Sequence, residues 1–205
     1  MRGIALVLFD LNGVLYRYDR AARIARLAAL ANRTAEAVEA AIWTSGFEDL
    51  GDAGGLDAEA YLRGFGARLG CDLSEDAWLA ANQAAVSPIT ASLALLPRLR
   101  AGVECGVLTN NNLLIQRHFA TLYPEVAALV GDRACVSAAF GARKPEPAVY
   151  RRCLRHLGVA PEAALFVDDS AANAAGAVAA GLHAHHFTDP DGLEAALHRF
   201  GLLVA

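Results

Sequence analysis

Four short stretches end apolar runs on residues able to do chemistry: Asp10 and Asn12 in "FDLNGVL", Thr109-Asn110 in "LTN", Lys144 in "KPEP" and Asp168-Asp169 in "FVDDSAAN". Three carboxylates repel one another unless positive charge sits among them, and an oxygen-only donor set without histidine suits Mg²⁺. Lys144 and the Thr109 hydroxyl, with main-chain N–H groups of the neighbouring loop, can hold an anion beside such a metal, and phosphate satisfies both. One carboxylate can then attack phosphorus and form an aspartyl-phosphate, splitting a difficult hydrolysis into two easier steps.

These residues can act together only if the elements before them finish on one edge. Apolar runs rich in branched residues recur at 4–9, 103–108, 134–137, 164–167 and 183–187, and from the second onward they alternate with helical patterns. That alternation predicts an α/β fold, a Rossmann-like three-layer core around a parallel sheet. In such a sheet ligands bind beyond the carboxyl ends of the strands, where Asp10, Thr109 and Asp168 are expected. Between Tyr16 and about Ser87 no strand is apparent, and helices are expected over 20–32, 35–44, 58–69 and 75–85. Thr34, Asp57 and Ser74 are expected to cap three of them and Gly70 to end one. The glycine-rich stretch 45–57 reads as a hinge loop. The expected division is a core of residues 1–15 and 88–205 and a helical cap of 16–87.

Composition excludes several classes. A chain of 205 residues suits one domain with an insertion. The net charge of −4, with basic residues scattered apart from Arg151, Arg152 and Arg155, argues against nucleic acid as a partner. No apolar run approaches the roughly eighteen residues of a membrane span, and the run at 4–9 is too short for a signal-peptide core. A cytoplasmic protein without a membrane partner is expected. Cys71, Cys105, Cys135 and Cys153 show neither C-x-x-C nor metal-ligand spacing and are expected to be reduced.

The four stretches, in this order over the whole chain, resemble the motifs of the haloacid dehalogenase-like hydrolase superfamily. The resemblance implies Asp10 as nucleophile, Thr109 and Asn110 as ligands of the transferring phosphoryl group, and Lys144 as the bridge between that group and the nucleophile. It implies Mg²⁺ held by Asp10, Asp168, Asp169 and the main-chain carbonyl of Asn12, with Asn173 orienting the acidic pair. The insertion is similar to the small cap that some members carry between their first two motifs. Within that subgroup the chain looks most like bacterial α-glucose 1-phosphate phosphatases and the phosphatase domain of epoxide hydrolases. A small phosphorylated metabolite, most simply a sugar phosphate, is the implied substrate.

One residue departs from the pattern. Typical phosphatases of the superfamily have a second aspartate two residues after the nucleophile, as acid and base, and here that position is Asn12. Three readings stay open: a phosphatase that manages without it, a phosphate-binding homologue with weak or no turnover, and a 2-haloacid dehalogenase. Other conspicuous residues have plainer readings. His183, His185 and His186 are expected outside the metal site, and the arginine group on a solvated helix face. Asn111 and Asn112 read as turn residues and Trp43 as core, while Phe47 or Glu48 is a candidate to face substrate.

Overall fold

The computed structural model describes residues 3–204; residues 1, 2 and 205, the outer bounds of the expected core, lie outside the described residues. In chain order, β1 (Leu6–Phe9) leads to β2 (Tyr16–Tyr18) and then to helices α1 (Arg20–Ala31), α2 (Ala35–Glu39), α3 (Phe47–Asp52), α4 (Ala58–Leu69) and α5 (Glu75–Gln83). Next come β3 (Val86–Pro88), α6 (Thr90–Leu93), β4 (Glu104–Thr109), α7 (Leu113–Arg117), α8 (Phe119–Leu122), α9 (Pro124–Val130) and β5 (Ala134–Val136). The chain finishes with α10 (Pro147–Leu157), β6 (Ala164–Asp168), α11 (Ala171–Ala180), β7 (His183–His186) and α12 (Pro190–Arg199).

Five strands form one parallel sheet in the order β5-β4-β1-β6-β7. β1 is central and wholly buried because both its faces are covered, which is why it reads as an unbroken apolar run. Val7 and Phe9 enter one core with α9 and α12, and Leu6 and Leu8 enter the other with α10 and α11. The α/β three-layer expectation therefore holds. The register pairs Phe9 with Val107 on one side and Val167 on the other, so the residues after β1 and at the ends of β4 and β6 meet at one edge.

The stretch from 20 to 83 is helical as expected, and Thr34, Asp57 and Ser74 accept the expected capping bonds from Ala37, Ala60 and Ala77 N–H. Gly70, at φ 71°, ends α4. α2 is shorter than its sequence pattern, passing into a π-helical turn over Ala40–Thr44. Two features differ from expectation. β2 and β3 pair antiparallel, Tyr16 with Pro88 and Tyr18 with Val86, forming a ribbon where the helical segment leaves and rejoins the sheet. Runs of three residues carry too little periodicity to announce this. The expected hinge loop, moreover, contains α3. Its Phe47 ring stacks on Tyr61 at 5.4 Å, and Glu48 and Asp49 favour its first turn. Gly51 is there for packing: a Cβ on it would lie 2.8 Å from the Tyr61 ring.

The cysteines are free thiols. Among the described residues no helix is long and apolar enough to cross a membrane.

Candidate active site

Asp10 sits one residue beyond β1, its N–H donating to the Val167 carbonyl at 2.7 Å, so the backbone of β6 fixes where the carboxylate points. Its Oδ1 accepts from the Leu11 N–H at 2.7 Å and lies 2.8 Å from Lys144 Nζ. Burial to 8% exposure pushes the Asp10 carboxyl up to about 6; Lys144 pulls it down and Asp168 adds to the rise. Lys144, only 4% exposed, also donates to Asp168 Oδ2 at 2.7 Å. One ammonium thus bridges two buried carboxylates that could not otherwise stay charged side by side.

Asp168 is held on every side. Its Oδ1 accepts from Ser170 N–H at 2.8 Å and Asn173 Nδ2 at 3.0 Å, with Asn173 also 3.2 Å from Oδ2. Asp169 instead faces outward, and burial of part of its surface, with Asp168 beside it, raises its pKa. Behind Asp169 lies Gly13: at φ 90° and with a would-be Cβ 2.1 Å from Asp169 Oδ2, this position accepts only glycine. Asp10, Asp168 and Asp169 bring carboxylate oxygens within 4.8 Å of one another.

On the β4 side, Thr109 Oγ1 is buried and accepts from Asn111 Nδ2 at 3.0 Å, leaving its hydroxyl hydrogen to donate. The Asn110 side chain is committed to the protein. It clamps the main chain of Lys144, accepting from its N–H at 2.9 Å and donating to its carbonyl at 3.0 Å. Any contact with an anion therefore falls to the Asn110 main chain. Asn112 is the turn residue expected, capping α7 through Leu114 and Ile115 N–H, whereas Asn111 holds Thr109.

His186 stands beside Asp168 in the β6–β7 register and donates from Nε2 to the Asp169 carbonyl at 3.0 Å. It is close to the acidic pair in space but shares none of the clustered carboxylates. Arg151, Arg152 and Arg155 lie on an exposed face, as expected.

Over this edge the helical segment encloses a polar cavity of about 180 Å³, with Asn12, Asn110 and Asn111 on the core side and Arg23, Trp43 and Asp52 opposite. Trp43, expected in the core, is half-buried and lines this cavity, with the Arg23 guanidinium 5.3 Å above its ring. Arg23 is 5% exposed, pairs with Glu48 at 2.8 Å and donates to the Tyr18 hydroxyl at 3.1 Å. Phe47 is packed among aromatic rings and faces no ligand space. Sequence reasoning missed Arg23, Asp52 and Arg143, the last paired with Asp49 at 2.8 Å; only Arg143, next to Lys144, carried a positional signal.

The family model for haloacid dehalogenase-like hydrolases matches residues 4–181. The chain belongs to that family. Over 86 residues this haloacid dehalogenase-like hydrolase is 38% identical to phosphatase MT3486 of Mycobacterium tuberculosis, a match spanning 42% of this chain and 39% of that protein. It therefore spans about two fifths of the length of that curated relative. Among solved structures, the family enzyme bt-2542 of Bacteroides thetaiotaomicron, crystallised with magnesium and inorganic phosphate, superimposes with a TM-score of 0.76 at 23% identity, covering 91% of this chain and 95% of that one. L-2-haloacid dehalogenase of Xanthobacter autotrophicus gives a TM-score of 0.63 at 19% identity, covering 95% and 82%. Both likenesses are of fold.

Proposed function

We propose that this protein is a Mg²⁺-dependent phosphatase that hydrolyses a small phosphomonoester, a sugar phosphate, through an aspartyl-phosphate on Asp10. The observation that carries the reading is Lys144 Nζ held between Asp10 and Asp168 within a cluster of three carboxylates. One lysine leaves that cluster net negative, and its donors are all oxygen, so a divalent hard cation fits. The clustered carboxylate oxygens of Asp10, Asp168 and Asp169, with the Asn12 main-chain carbonyl, would hold it. When bound, Mg²⁺ would neutralise this charge and polarise a phosphoryl oxygen.

The chain's own residues do the rest. Asp10 Oδ2, the oxygen not committed to Leu11 and Lys144, attacks phosphorus. Lys144, the Thr109 hydroxyl and the Asn110 N–H hold the phosphoryl oxygens as charge redistributes. Residues 16–87 serve as a cap that excludes water from the first step. A cavity of about 180 Å³, rich in Asn and Arg, suits a small hydroxylated leaving group rather than a bulky one. The phosphatase relative and the magnesium and phosphate complex of bt-2542 support the same chemistry.

The test is phosphate release from a panel of sugar phosphates with and without Mg²⁺. Release that needs Mg²⁺ and disappears in Asp10→Asn is the expected result; full turnover by that variant would refute the reading. A second reading, a phosphate binder with little turnover, draws on Asn12. Under it, Mg²⁺ plus inorganic phosphate raises Tm without catalysis, and Asn12→Asp gains activity. The dehalogenase alternative has only the shared fold in its favour.

A further inference from the structure

Protonating the leaving oxygen is the step Asn12 cannot perform, since an amide neither gives nor takes a proton usefully near neutral pH. The cavity over Asn12 is lined by three other carboxyl groups, all from α3. Glu48 is committed, pairing with Arg23 at 2.8 Å and accepting from the Tyr61 hydroxyl at 2.8 Å. Asp49 is paired with Arg143 and its side chain is 64% exposed. Asp52 is different: among the described residues its carboxyl makes no hydrogen bond and no ion pair, and it lines the same cavity as Asn12, Asn110 and Asn111.

Asp52 is also held in place from the core. Ser137 Oγ donates to its main-chain carbonyl at 2.6 Å, and the same oxygen accepts from Asn111 N–H at 3.1 Å. A single serine thus ties the end of α3 to the loop carrying Thr109 and Asn110. The cavity itself is short of partners. Asn12 Oδ1, Arg143 Nε and both Nε and Nη2 of the buried Arg23 are enclosed without a hydrogen bond. Unsatisfied buried polar atoms are uncommon, and their gathering around one space marks it as built for a polar guest.

We propose that Asp52 is the general acid that protonates the leaving oxygen and then, as carboxylate, the base that activates water. The proposal rests on the phosphatase reading above. In the first step the Asp10 Oδ–P bond forms, the P–O bond to the alcohol breaks, and the Asp52 proton passes to the alkoxide oxygen, releasing ROH. In the second, water attacks phosphorus, the Asp52 carboxylate takes its proton, and the bond to Asp10 breaks to release phosphate. Each step balances with water as the only co-reactant. The surroundings keep the proton available: burial first, then Glu48 and Asp49 on the same helix, outweigh Arg143 and Arg23 and push Asp52 up to about 8.

The test uses two esters, the best sugar phosphate of the panel and 4-nitrophenyl phosphate, whose leaving group departs without a proton. For Asp52→Asn, kcat/KM on the sugar phosphate, which reports the first step alone, is expected to fall about 10²-fold or more, and kcat/KM on the aryl ester by no more than about threefold. Asp52→Glu, which keeps a carboxyl, should recover part of the sugar-phosphate loss. Equal losses in kcat/KM on both esters, no loss on either, or no recovery with Glu would overturn the proposal. Wild-type protein inert on both would overturn the phosphatase reading itself, which separates the two failures.

Discussion

The two walls of the cavity are built on opposite terms. On the sheet side the polar atoms of Asp10, Lys144, Asp168, Asn173 and Asn110 are nearly all partnered, and the main chain sets their positions. On the helical side Arg23 keeps unmatched nitrogens and, among the described residues, the Asp52 carboxyl makes no hydrogen bond or ion pair. The first wall is organised before any ligand arrives, as charge-stabilising sites must be. The second keeps unpartnered polar atoms, and under the proposed function discrimination between substrates would be expressed there.

Removing the keystone of the complete wall should have the largest effect. Lys144→Met leaves two buried carboxylates facing each other, so a loss of about 3–5 kcal/mol is expected by denaturant unfolding, with activity down by about 10²–10³-fold. A variant of near wild-type stability would show that the sheet-side wall is not the rigid partner in this comparison. Gly13→Ala comes next: the would-be Cβ 2.1 Å from Asp169 forces that carboxylate away, costing about 1–3 kcal/mol and weakening the Mg²⁺ dependence of phosphate release.

The last effect belongs to the unfinished wall and is read against pH. Asp52 carries a pKa raised from 3.8 to about 8 in the fold, so the folded state holds a proton that the unfolded state has already released. Its contribution to stability is therefore lost as pH rises from about 4 to 8. Asp10, raised to about 6, acts in the same direction. Asp52→Asn should flatten the fall in Tm over this range and leave the protein at least as stable as wild type at its upper end. An unchanged slope would mean Asp52 is already ionised at neutral pH.

This same division decides what was legible in the sequence. Asp10, Thr109 and Asp168 stand at the ends of apolar strands and Lys144 in the loop after β5, and a strand's end announces itself, so their positions could be read. The Asn110 side chain, turned onto Lys144, shows the limit of that reading: its place beside the strand end was legible, its side-chain partner was not. Arg23 and Asp52 sit in helical stretches, where one charged residue among alanines and leucines looks the same whether it meets solvent or a cavity. α3 was hidden because Gly46, Gly51, Gly54 and Gly55 suggest flexibility, although at Gly51 the missing side chain makes room for Tyr61. The π-helical turn after α2 has no pattern of its own.

The ribbon of β2 and β3 gives the molecule a mechanical axis. Both crossings between helices and sheet run through two three-residue strands lying side by side, the arrangement of a door hung on one edge. Tyr16, the first residue of that edge, accepts the Gly13 N–H at 2.7 Å and donates its own to the Leu11 carbonyl at 2.9 Å. Any turn of the helices about this axis is thereby delivered to the three residues that follow the nucleophile, so the position of the door and the shape of the loop behind Asp10 are a single variable.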